Sequence, residues 1–226
     1  MKKPYIVCHM MTSLDGRIDC AMTEQLPGVD DYYQTLEALQ APTTVSGRVT
    51  AQLEMALPEE FRASDPTPVD KEAFSKKVDA PGYEVVAYTH GKLLWPDVGE
   101  PEKPLLILTS EQVPQEYLNY LDSRNISWIA VGRERIDLAR AAEILAEEFG
   151  VERMAVVGGS AINTSFLDAG LLDEVSILMG TGIDGRGGMP AVFDGLPMSH
   201  PVIPLCLTDV QKFDSGAVWL RYSILQ

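Results

Sequence analysis

Seven short apolar runs, at residues 5–11, 43–46, 84–88, 105–108, 128–131, 154–157 and 175–179, alternate along this chain with stretches of helical period at 31–39, 115–123, 138–149 and 161–169. Runs that are apolar without alternation suit strands buried on both faces, and strands separated by helix-length segments are joined most simply as parallel neighbours with helices packed over them. The pattern predicts an α/β layer fold. The tail breaks the rhythm, because 205–213 and 217–224 flank Asp214-Ser215-Gly216, the mark of an antiparallel hairpin that finishes the sheet. At 226 residues with 46% hydrophobic content, the chain has material for one substantial core, so a single domain over 1–226 is expected. Residues 55–83 interrupt the pattern with Pro58, Pro66, Pro68 and Pro81 among charged residues. They read as a surface excursion or partly mobile arm, or else as an arm that covers the active site or a neighbouring subunit.

The most chemically suggestive junction is the strand 154–157 running into Gly158-Gly159-Ser160, with an amphipathic helix directly behind it. The first N–H groups of such a helix point back at the loop, two glycines allow close backbone approach, and the helix dipole favours an anion there. A plain packing turn is the other reading of the same residues.

Three blocks in order carry a resemblance. The first is Ser13-Leu14-Asp15-Gly16-Arg17-Ile18, and the second is Gly47-Arg48-Val49-Thr50 followed by Glu54. The third runs from Gly158-Gly159-Ser160 through Leu172-Asp173-Glu174 to Gly185-Arg186-Gly187-Gly188 and Phe193. Together they resemble the dihydrofolate-reductase-like superfamily, and most of all the C-terminal reductase domain of riboflavin biosynthesis, which acts on 5-amino-6-(5-phosphoribosylamino)uracil. The resemblance implies a mixed, mostly parallel sheet with helices on both faces and a closing hairpin. It also implies NADPH as cofactor, with hydride passing from the nicotinamide C4 to C1 of the opened ribose, and a two-fold homodimer meeting through the last strands.

Carried over residue by residue, the resemblance puts Gly47, Arg48, Thr50, Gly158, Gly159, Ser160, Ala161 and Ile162 at the cofactor, with Thr109 and Ser110 at its ribose or 2′-phosphate. It puts Ser13, Asp15 and Glu54 nearest the reacting centre. Each has a plainer role open to it. Arg48 could follow a simple helix cap, Thr109 and Ser110 could cap the helix after Pro114, Glu54 could be a surface carboxylate, and Asp15 could hold its own turn. His9 reads first as a core histidine.

Two departures concern the substrate side. Val157 stands where these reductases have a glutamate, and the segment from Cys20 to Pro27 replaces a polar Ser/Trp-containing stretch. Leu26-Pro27 with Asp30-Asp31 before a helix is faintly similar to the substrate loop of dihydrofolate reductases proper. A pterin or other heterocycle reductase, or a non-catalytic nucleotide-binding protein, therefore remains as an alternative.

With 33 acidic against 18 basic residues and a formal net charge of −15, no basic cluster suits nucleic acid, and an anionic cofactor must be held by locally built positive potential. Cys8, Cys20 and Cys206 are few and scattered, which argues against a disulfide framework or a cysteine zinc site, and no metal is expected. No stretch approaches the ~18 continuous apolar residues of a membrane span, and the N-terminal apolar run is too short for a signal segment, so a cytoplasmic protein is expected.

Overall fold

The computed structural model describes residues 2–97, 99 and 101–225. The chain divides into two compact units interleaved in sequence, one built on Pro42–Met154 and one on Tyr5–Ala41 with the residues from Ala155 onward.

The first unit holds β2 (Thr43–Gly47), α3 (Arg48–Glu54), β3 (Ala73–Ser75), β4 (Glu84–Ala87), β5 (Leu105–Thr109), α4 (Gln115–Ser123), β6 (Ser127–Ala130) and α5 (Leu138–Glu147). Its strands lie in the order β3-β6-β5-β4-β2. β2, β4, β5 and β6 run parallel, and β3 closes the edge antiparallel to β6. Every residue of β6 is buried, as the continuous apolar run requires. α4 turns Tyr117, Leu118 and Leu121 inward, the spacing of one helical face, and starts at Pro114, whose missing N–H costs nothing there. α5 begins at Asp137, whose side chain accepts a hydrogen bond from the Arg140 N–H at 3.0 Å. Against α4 lies an apolar core that includes Val86, Ile107, Trp95, Tyr117 and Trp128.

The stretch 55–83 runs mostly exposed over this unit and is tied to it along its length. The Phe61 N–H donates to the Lys92 carbonyl at 2.8 Å, and the Phe61 ring packs on Tyr117 and Tyr120 with centroids 5.2 and 5.4 Å away. The Val69 N–H donates to Val113 at 3.0 Å, and the stretch ends by supplying β3. An edge strand of three residues has too little period to be seen in the sequence.

The second unit holds β1 (Tyr5–Thr12), α1 (Cys20–Thr23), α2 (Val29–Ala38), β7 (Arg153–Gly158, which enters it at Ala155), α6 (Ser160–Asp168), β8 (Glu174–Met179), β9 (Leu205–Lys212) and β10 (Val218–Ile224). The strand order is β7-β1-β8-β10-β9. β1 and β8 are parallel with Val7 opposite Glu174, while β10 is antiparallel to both β8 and β9, so the expected terminal hairpin is present. Its core gathers Val7, Met11, Leu26, Ala155, Leu178 and Trp219.

Gly82 shows how tightly the turn before β4 is packed. A Cβ added there would sit 2.3 Å from the Pro42 carbonyl oxygen, a backbone atom that cannot swing away. Gly82→Ala should lower unfolding free energy by ~1–3 kcal/mol, the usual cost of overpacking. Urea denaturation of the purified variant checks this, and a midpoint equal to the parent's would contradict it.

Candidate active site

β7 ends where its apolar run ends, and the chain turns through Gly158 at φ +133°, a conformation that side-chain-bearing residues rarely adopt, and through a cis Gly158-Gly159 peptide. Gly159 is the N-cap of α6 with no side chain capping the helix. The first turn's N–H groups therefore lack the usual side-chain acceptor. A Cβ built at Gly159 meets nothing within 4 Å, so open space lies over the loop. Beside it, the Ser160 Oγ is a buried atom with no hydrogen-bond partner among the described residues. Ala161 is exposed and Ile162 half-buried on the same turn. Asn163 secures the helix from below, donating through Nδ2 to the Val192 carbonyl at 3.0 Å. Open backbone donors, an orphaned hydroxyl and free space fit a phosphate-bearing cofactor.

In the first unit, β2 ends at Gly47, which is the N-cap of α3. Arg48 is exposed, and its guanidinium lies 6.0 Å from the centroid of the Tyr88 ring. Thr50 is half-buried two residues on, and Glu54 is exposed at the end of the helix. Thr109 and Ser110 are fully buried, and both hydroxyls donate to the Thr89 carbonyl, at 3.0 and 3.1 Å. Ser110 also accepts from the Gln112 N–H at 3.2 Å. The pair closes the 89–110 turn, and the helix cap falls on Pro114. Expected at a ribose or 2′-phosphate, both hydroxyls give their protons to the protein's own backbone and keep only acceptor capacity.

In the second unit, Ser13 and Asp15 hold a pair of loops together. The buried Ser13 hydroxyl donates to Asp15 at 2.7 Å and accepts from the Arg17 N–H at 3.1 Å. The Asp15 carboxylate also accepts the N–H groups of Asp184 and Gly185, at 2.9 and 3.0 Å. The Ser13 hydroxyl, and then those two amides, hold Asp15 well below the usual carboxylate range. An acceptor-only group of this kind orders the glycine-rich loop, the turn-holding role open to it from the sequence. Arg186 extends the staple to Asp184 and to Asp19, the latter at 2.8 Å, and Arg17 donates to the Met189 carbonyl at 2.6 Å. None of these ties across some 170 residues of sequence was legible from local pattern. Of Asp30 and Asp31, either of which could serve as the carboxylate a pterin would need, Asp31 accepts from Ser215 at 2.6 Å. Val157 packs against the apolar core.

His9 is fully buried and stacked on Tyr32, with ring centroids 4.8 Å apart. Thr35 gives its one hydroxyl proton to the Tyr32 carbonyl at 2.9 Å, so it accepts from His9 Nε2 at 3.1 Å. Burial pushes the His9 pKa down to about 4, so the imidazole is neutral and its Nδ1 accepts from Ser176, 2.9 Å away, which itself accepts from the Trp219 indole at 2.7 Å.

A family model described as the RibD C-terminal domain matches residues 4–219. The 2,5-diamino-6-ribosylamino-4(3H)-pyrimidinone 5′-phosphate reductase of Methanothermobacter thermautotrophicus is 28% identical over 199 residues, covering 85% of each chain. The Archaeoglobus fulgidus protein of the same name is 25% identical over 197 residues, covering 85% of this chain and 87% of its own. Among solved structures, a pyrimidine reductase-like protein from Corynebacterium diphtheriae superposes with a TM-score of 0.72 at 14% identity, over 99% of this chain and 92% of that one. At that identity the likeness establishes the fold.

The His9 network makes stability depend on pH. Between about 4 and the ordinary 6.5, the unfolded chain takes up a proton that the folded chain refuses. The contribution is complete above 6.5 and lost as pH falls through that window, amounting to ~3 kcal/mol. Urea midpoints measured from pH 7 to 4 should fall less steeply for His9→Asn than for the parent, the other titrating groups being common to both. Parallel slopes would contradict the assignment.

Proposed function

The chain belongs to the RibD C-terminal domain family, and from that premise we propose that it is the NADPH-dependent reductase of a ribosylamino-pyrimidine 5′-phosphate. It is a reductase of riboflavin biosynthesis that uses a nicotinamide cofactor. The observation that carries the cofactor reading is the loop at the start of α6, where open space over Gly159 adjoins the unpartnered Ser160 hydroxyl.

Gly158, Gly159, Ser160, Ala161 and Ile162 would receive cofactor phosphate on backbone N–H groups, which suits a chain whose net charge repels anions. Gly47, Arg48 and Thr50 are the first unit's cofactor residues, with Arg48 the cation and Thr50 a hydroxyl donor. The bound cofactor supplies hydride. The protein's task is alignment and exclusion of water. Ser13 and Asp15 serve that task by fixing the loops at the end of β1, and the ionised Asp15 is no proton donor at neutral pH. Glu54, exposed at the end of α3, is the other carboxylate we assign to the reaction end.

A second copy is expected on the terminal hairpin. All eight residues of β9 are exposed, and Leu205, Leu207 and Val210 stand opposite Ile224, Tyr222 and Leu220. An edge strand with an open apolar face invites pairing. Among the described residues no helix is long and apolar enough to cross a membrane.

NADPH oxidation should follow addition of 2,5-diamino-6-ribosylamino-4(3H)-pyrimidinone 5′-phosphate or its uracil counterpart, and not of dihydrofolate. Turnover of dihydrofolate alone would overturn the substrate class. Gly159→Val should fold normally, since its Cβ meets nothing, and should weaken NADPH binding at least ~10-fold by filling phosphate space. Unchanged binding would remove the loop from the site. Sedimentation velocity at micromolar concentration should report a dimer that Val210→Asp converts to monomer, whereas a monomeric parent would refute the hairpin contact.

A further inference from the structure

Arg48 is an exposed arginine in a chain with 33 acidic residues, yet among the described residues no carboxylate pairs with it. What holds it is an aromatic ring. β2 and β4 pair in parallel with Gly47 opposite Ala87, so Arg48 and Tyr88 emerge from neighbouring strand ends. The guanidinium lies 6.0 Å from the Tyr88 ring centroid, the outer reach of a cation–π contact. Tyr88 is half-buried and meets the His90 ring edge to face, with centroids 6.1 Å apart at 89°. One residue before Gly47, the Ser46 hydroxyl is buried without a partner among the described residues. A guanidinium held on a ring keeps its five N–H donors free, whereas one paired with a carboxylate does not. Thr109 and Ser110 give their hydroxyl protons to Thr89, so of the residues assigned to the cofactor Arg48 is the cation with donors to spare for its extra phosphate.

We propose that Tyr88, braced by His90, is a positioning residue that presents Arg48 to the 2′-phosphate distinguishing NADPH from NADH, and so sets cofactor selectivity. The ring replaces the carboxylate that would otherwise capture the arginine. It limits the guanidinium's motion without neutralising it, so less freedom is lost when the phosphate binds. This rests on Arg48 serving the cofactor, as proposed above.

Dissociation constants for NADPH and NADH, measured by titrating the fluorescence of the reduced cofactors, separate the two ideas. Arg48→Ala should weaken NADPH binding roughly 10- to 100-fold and leave NADH nearly unchanged. Tyr88→Leu should weaken NADPH alone by roughly 2- to 5-fold, and Tyr88→Phe, which keeps the ring, should restore it. Tyr88→Met, similar in bulk but without a π face, serves if thermal melting shows the leucine variant misfolded. If Arg48→Ala loses selectivity while Tyr88→Leu and Tyr88→Met bind as the parent does, the positioning role is wrong and the cofactor reading of Arg48 survives. A phenylalanine variant as weak as leucine also overturns the ring's role. An unchanged NADPH to NADH ratio in Arg48→Ala defeats the reading of Arg48 itself.

Discussion

Buried parallel strands confine chemistry to their ends. A strand covered on both faces is mostly apolar along its length and commits its backbone groups to the ladder, so free N–H groups and solvent-facing polar side chains appear where pairing stops. β1 runs buried from Ile6 to Met11 and then gives Thr12 and Ser13. β2 ends in Ser46 and Gly47 ahead of Arg48, β5 ends in Thr109 ahead of Ser110, and β7 ends in Gly158 ahead of Gly159 and Ser160. The residues expected to meet cofactor or substrate all lie at such ends, or in the loop or helix that follows.

What happens at each end depends on whether the protein satisfies the emerging groups itself. At the end of β5 it does, since Thr89 takes both hydroxyls. Ser13 and Asp15 likewise find partners within the chain, and the result is a stapled pair of loops. At the end of β7 it does not, because the Ser160 hydroxyl and the space over Gly159 are left without protein partners among the described residues. Burying an unpaired polar group has a cost of ~1–3 kcal/mol, so the orphaned hydroxyl beside open space is where the proposed cofactor would contribute the missing partner.

The fold was largely legible. Strands such as 105–108 and 154–157 fell within a residue or so of their observed limits because continuous apolar runs between helix-length segments have few other solutions. β3 and α1 were missed, one being three residues long and the other four, lengths at which period carries no information. At the site, the glycines at 158 and 159 and the capping position of Gly47 could be read locally. Long-range pairing could not be. Nothing near Asp15 announces Gly185, and nothing near Arg48 announces Tyr88, because those partners are chosen by strand register rather than by sequence neighbourhood. The partners of His9 and Asp31, Ser176 and Ser215, are likewise 167 and 184 residues away in sequence.

The central claim is that the α6 N-terminus receives cofactor phosphate on its backbone N–H groups. Amide chemical shifts of Ser160, Ala161 and Ile162, followed by NMR during titration with NADPH, test it most directly. The account predicts large, saturable shifts at these three amides that track the binding curve. Saturable NADPH binding that leaves all three unmoved would contradict it.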